Sequence, residues 1–144
     1  MIREVIKAHR VQAVVQFCGF AYVGESVQRP QQYFRNNVTY TLRLLDAMMD
    51  MRVKRIVFSS GCATYGISTG VPIREEQVQA PISPYGESKR MVERIRAWYG
   101  EAYELHWTAL RYFNAAGADP DGELGEGHSP ETHLIPDFRF ETRR

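Results

Sequence analysis

The sequence predicts an α/β protein built on a parallel sheet with flanking helices. Two observations carry this. Short β-branched runs of strand length recur at residues 11–17 (VQAVVQF), 53–59 (VKRIVFS) and 106–113 (HWTALRYF). The segments between them are long enough for crossover helices, and two carry apolar residues at three- and four-residue steps. A strand, a crossover and a second strand imply right-handed βαβ units, and so parallel pairing.

Taken in order, residues 1–9 read as the end of a helix, and residues 11–17 as a buried strand bounded by glycine. Residues 28–52 form a long helix with Phe34, Val38, Leu42, Leu45 and Met49 on one face, and Pro30 where a first turn tolerates proline. After the strand 53–59, a loop rich in glycine, proline and polar residues runs to Ser83. Residues 84–103 are the second long helix, with Met91, Val92, Ile95 and either Trp98 or Tyr99 turned inward. The third strand follows. From Asn114 onward glycine, proline and acidic residues replace any periodicity, so the chain becomes loop.

At 144 residues the chain has room for a single core. A net charge of +1 gives no reason to expect nucleic acid or an anionic membrane as partner. No apolar run is long enough for a membrane helix, and charges throughout the first twenty residues argue against a signal peptide. Two cysteines, Cys18 and Cys62, make no disulfide framework. We expect a cytoplasmic, reducing setting with both as small buried apolar side chains. His9, His106, His128 and His133 lack metal-ligand spacing. The acids Asp119, Asp121, Glu123 and Glu126 miss the calcium-loop pattern, which leaves a solvated turn and no metal.

Ligands of a parallel sheet sit beyond the carboxyl ends of its strands. Here those ends are Phe17-Cys18-Gly19, Ser59-Ser60-Gly61 and Tyr112-Phe113-Asn114. Tyr85 and Lys89 lie four apart at the start of the second long helix and so share a face. A nearby ammonium favours the phenolate, lowering the tyrosine pKa from about 10 and making it a usable base. By spacing alone the pair reads more readily as two solvated helix residues.

Its surroundings decide between these. Residues 83–89 read SPYGESK, the second strand runs into FSSGCATYG, the third into LRYFNAAGA and the first into FCGFAYVGESV. With QRPQQYFRNNVTYTLRLLDAM and PETHLIP in the same order, the chain resembles the extended short-chain dehydrogenases/reductases, and within them the UDP-glucose 4-epimerases. The resemblance runs up to Pro136. It implies a partial Rossmann-like NAD-binding domain over residues 1–118 and the start of a substrate-binding region over 119–144. In that reading Tyr85 takes the proton of the sugar 4-hydroxyl, and Lys89 lowers the tyrosine pKa and binds the nicotinamide ribose. NAD takes the hydride, leaving a 4-keto sugar that turns over and receives it back on the other face. Phe17, Cys18, Gly19, Phe20, Ala21, Asn36, Ser59, Ser60 and Phe113, with Tyr85 and Lys89, match the cofactor-lining positions. Asn114, His133 and Leu134 match positions that touch the UDP-sugar. A homodimer through residues 28–52 and 84–103 is implied too.

The sequence also departs from that family. Gly61 stands where the family has a serine or threonine hydroxyl beside the tyrosine, with Ser60 or Thr64 as substitutes through water. Losing such a group costs on the order of 10²-fold in rate, so weak turnover is expected. The G-x-x-G-x-x-G turn that holds the pyrophosphate has no counterpart here, nor does most of the sugar-binding domain. The expectation is therefore a piece of a longer enzyme that by itself binds NAD poorly, associates through an uncovered sheet and is inactive. A sugar 4,6-dehydratase is disfavoured, because Cys62-Ala63 replaces that family's Asp-Glu pair. A UDP-glucuronate 4-epimerase or a related decarboxylase, and a non-catalytic remnant or binding module, stay open.

Overall fold

The computed structural model describes residues 1–68, 70–117, 119–125 and 127. The chain divides into two units, Met1–Tyr112 and Phe113–Arg144. The first holds a three-stranded parallel sheet, ordered β1 (Val14–Gln16), β2 (Arg55–Gly61), β3 (His106–Tyr112). Val14 pairs with Ile56, which pairs in turn with Trp107. β1 is shorter than the apolar run suggests. Among the described residues it has a partner on one side only, through Val14–Gln16 against Ile56–Phe58.

The helices are α1 (Ile2–Ala8), α2 (Val23–Gln28), α3 (Pro30–Tyr33), α4 (Tyr40–Asp50) and α5 (Pro84–Tyr103). α3 runs into α4 through a π-helical segment, Phe34–Thr39. The predicted helix over 28–52 is thus this composite, started by Pro30 at the first helical position. The separate α2 had no apolar period to announce it. α5 matches its prediction: the Ser83 hydroxyl accepts the Gly86 amide at 3.1 Å and Pro84 opens the first turn. The structure resolves the inward choice in favour of Tyr99, which packs against the core, while Trp98 is 68% exposed.

Helices and sheet meet in two apolar clusters on one sheet face. Ile6, Leu45, Met48, Val53, Ile56 and Leu105 form one; Val38, Phe58 and Val92 form the other. Leu45 and Met48 are wholly enclosed, a burial contributing roughly 1.5–3 kcal/mol each. The opposite face carries Val15, Leu110 and Tyr112, at 56%, 38% and 40% exposure. These exposures leave that face open among the described residues.

In the second unit the Asp119 carboxylate accepts the Glu123 and Leu124 amides at 2.7 and 3.1 Å. This is the polar turn expected of the acidic run. Phe113 and Asn114 open this unit, both exposed. His133 and Leu134 lie outside the described residues.

Candidate functional site

The site forms where the carboxyl ends of β1 and β2 meet the start of α5. Gly86 seats that helix: a Cβ there would lie 2.4 Å from the Ala63 carbonyl oxygen, so only glycine lets the first turn sit so close. Tyr85 is thereby brought over Gly61, with its ring edge-on to Tyr33 at 6.5 Å. One turn on, Lys89 is 4% exposed and donates from Nζ to the Ser59 carbonyl at 2.8 Å. The ammonium lies 4.9 Å from the Phe58 ring centre and 5.7 Å from that of Tyr85.

The protonation states differ from the expected ones. Burial holds the Tyr85 hydroxyl above its ordinary 10.0, and Cys62 acts in the same direction. Burial and then the Arg96 charge lower Lys89 to about 8, against a small opposing effect of Cys18. Lys89 does not pull the tyrosine down, because its ammonium is itself stripped of water and spends its hydrogen bond on a main-chain carbonyl. With these shifts the lysine loses its proton before the tyrosine does.

The segment 17–21 arches over this pair. Phe17, Cys18, Gly19, Phe20 and Ala21 are all exposed, which for Cys18 corrects the expectation of burial; Cys62 is half-buried. Two successive asparagines hold the arch: the Phe20 amide donates to Asn36 Oδ1 at 3.2 Å and to Asn37 Oδ1 at 2.9 Å. Asn37 Nδ2 donates to the Phe20 carbonyl and to the Ser88 hydroxyl. Both asparagines lie in the π-helical segment, whose wider turn aims neighbouring residues at one target. Gly19, at φ +154°, would place a Cβ 3.1 Å from Asn37 Oδ1 and 3.5 Å from Lys89 Nζ. Bare backbone beside a lysine ammonium is a setting that fits a flat, polar cofactor approaching closely.

The hydroxyls near Gly61 are committed elsewhere. Ser60 is buried and donates to Glu93 Oε1 at 2.5 Å, while Thr64 donates to the Gly61 carbonyl at 3.0 Å. Neither stands in for the hydroxyl that position 61 lacks. Below the site Glu93 gathers Ser60, Gln79 and Arg111; Arg111 also reaches the Tyr65 hydroxyl and the Glu75 carbonyl. This network pins the loop after β2 to the sheet. Sequence reasoning missed Asn37, Ser88, Glu93 and Arg96. The E-x-x-R spacing on α5 was visible, but it reads as a solvated pair.

Comparison with known proteins agrees with this architecture. The family described as the NAD dependent epimerase/dehydratase family matches residues 1–139. A UDP-glucose 4-epimerase of Lactobacillus helveticus is 49% identical over 138 residues, covering 96% of this chain and 42% of the relative. One from Streptococcus mutans is 52% identical, covering 88% and 38%. The crystal structure of the Brucella ovis UDP-glucose 4-epimerase in complex with NAD superposes with a TM-score of 0.91 at 52% identity, over 94% of this chain and 42% of that one. The chain thus spans less than half the length of these relatives. It belongs to the NAD dependent epimerase/dehydratase family.

Proposed function

We propose that this chain carries the proton-transfer part of a UDP-glucose 4-epimerase site, interconverting UDP-glucose and UDP-galactose when completed by the rest of such an enzyme. The observation that supports it most is the seating of Tyr85, half-buried at the sheet's carboxyl end beside Lys89, its hydroxyl making no hydrogen bond among the described residues. Tyr85 accepts the proton of the sugar 4-hydroxyl and later returns it. Lys89, cationic below about pH 8, offsets the negative charge that Tyr85 bears as the phenolate before it takes that proton. NAD, when bound, supplies the acceptor and donor for the C4 hydride. Residues 17–21, Asn36, Ser59 and Lys89 are the groups we assign to it.

A UDP-sugar ligand, a homodimer and a cytoplasmic setting belong to the same reading; the unpaired Cys18 and Cys62 and the outward Trp98 and Tyr40 support the last two. We expect little turnover from this chain by itself, because Gly61 gives the Tyr85 hydroxyl no side-chain partner. Gly61 equally supports a non-catalytic binding module as the second reading.

Grafting residues 1–136 in place of the matching segment of the Lactobacillus helveticus enzyme tests this. The graft should convert UDP-glucose to UDP-galactose measurably, and Tyr85→Phe within it should lower kcat by at least about 10²-fold. A rate indifferent to Tyr85→Phe would remove the reading. Binding of both ligands without turnover, even with Gly61→Ser, would favour the binding module.

A further inference from the structure

α5 buries a second cation that the reaction has no evident use for. Arg96 is 0% exposed, and its guanidinium stacks 3.8 Å from the centre of the Phe58 ring, the same ring the Lys89 ammonium approaches at 4.9 Å. The two charges therefore lie within about 9 Å of one another in a dry interior, where Coulomb interactions are weakly screened. Arg96 makes one hydrogen bond, from Nη2 to Gln16 Oε1 at 2.7 Å. Its Nε and Nη1 are buried with no partner. Glu93, one turn back, supports the Arg96 charge only through space, because its carboxylate oxygens are hydrogen-bonded to Ser60, Gln79 and Arg111. A buried guanidinium with an amide oxygen and a ring for company keeps most of its field.

We propose that Arg96 is a positioning residue for the Tyr85–Lys89 pair, its charge acting by repulsion on the Lys89 ammonium across the shared Phe58 ring. The consequence for catalysis rests on the function proposed above; the electrostatic effect does not. The groups facing Lys89 are few. On its own helix they are Tyr85 and Arg96; β2 presents the Ser59 carbonyl; the segment after β1 presents Cys18, and Cys62 faces Tyr85. Cys18 acts against Arg96, and burial acts with it. The lysine is consequently held near its titration point, and the charge available to support Tyr85 is switched by modest alkalinity.

The chain has three lysines, Lys7, Lys54 and Lys89, so labelling lysine side chains with ¹³C and following them by NMR against pH reads each one separately. Lys89, assigned by its loss in Lys89→Arg, should titrate near pH 8, well below Lys7 and Lys54. Arg96→Met, which fills the same space without charge, should raise the midpoint by about one pH unit. Gln16→Glu, which keeps the arginine but gives it a counter-charge, should raise it as well. A purely structural role for Arg96 predicts that a folded Arg96→Met variant keeps the Lys89 midpoint of the parent. A wild-type Lys89 that titrates with the other two lysines, or folded variants with an unmoved midpoint, overturns the proposal. Because the titration uses no substrate, its failure is separable from failure of the epimerase reading, which the Tyr85→Phe graft measures.

Discussion

The hydroxyl of Tyr85 faces the bare α-carbon of Gly61: a Cβ added there would lie 3.2 Å from it. Gly61 has an extended backbone, φ −166°, that any residue adopts, so nothing in the main chain demands glycine. The only accommodation needed is a shift of a few tenths of an ångström at the tip of the tyrosine. Gly61→Ser in the graft should thus set a hydroxyl within hydrogen-bonding reach of the reacting oxygen. We expect kcat to rise on the order of 10²-fold with KM nearly unchanged, because a group that acts on developing charge works in the transition state. Steady-state kinetics decide it, and an unchanged kcat sinks the argument.

Asn37 is the second point of control. It is 4% exposed and bonds both backbone groups of Phe20 and the Ser88 hydroxyl, so one side chain ties the segment 17–21 to α5. Asn37→Ala removes all three bonds at once and leaves the Phe20 amide only its longer bond to Asn36, at a cost of roughly 1–3 kcal/mol. The Phe20 amide should then exchange with solvent at least about tenfold faster, while amides of β2 lose no more than the overall stability change. Hydrogen exchange followed residue by residue separates a freed arch from a general loosening.

Glu93 sets the acid limit of the fold. Burial alone would raise its pKa, but hydrogen bonds from Arg111, Ser60 and Gln79 and the Arg111 charge prevail, and it ends below 4.5. A carboxylate whose folded pKa is depressed contributes stability that is full above its unfolded value and is lost as pH falls through the folded one. Glu93→Gln should flatten this acid limb in urea titrations taken from pH 6 downward. At neutral pH it should cost about 3 kcal/mol, since it leaves a part-buried Arg111 without its counter-charge. A variant with the acid slope of the parent rules this out.

What the sequence shows and what it hides divides along physical lines. The three strands and α5 were legible because burial on a sheet face and along a helix writes a period into the apolar residues. A parallel sheet forces its chemistry to the carboxyl ends of the strands, which marked the end of β2, but only the family resemblance set Gly61 beside Tyr85 and Lys89. Asn37 was not, because it sits in a π-helical segment, where the step per residue no longer matches the helical period. Arg96 stayed hidden for another reason. An arginine on a helix reads as solvated, and only packing against Phe58 and Gln16 reveals that it is enclosed. The direction of the Tyr85 shift was missed because spacing shows that a lysine is near and says nothing about how much water both groups lose.

The open sheet face gives the last prediction. Val15 and Leu110 stand out from it at 56% and 38% exposure, and β1 leaves one edge of the sheet unpaired among the described residues. An apolar face beside a free edge drives chains together through the same surface that a covering layer of helices otherwise occupies. Val15→Thr with Leu110→Lys keeps strand propensity at the first position and puts a charge on the middle of β3, while the core face of Ile56, Phe58 and Ala109 is untouched. The double variant should remain monomeric in light scattering at concentrations where the parent chain associates, with an unchanged far-ultraviolet circular dichroism spectrum. If association persists undiminished, the surface responsible is elsewhere, and the outward Trp98 and Tyr40 on the helices become the ones to change.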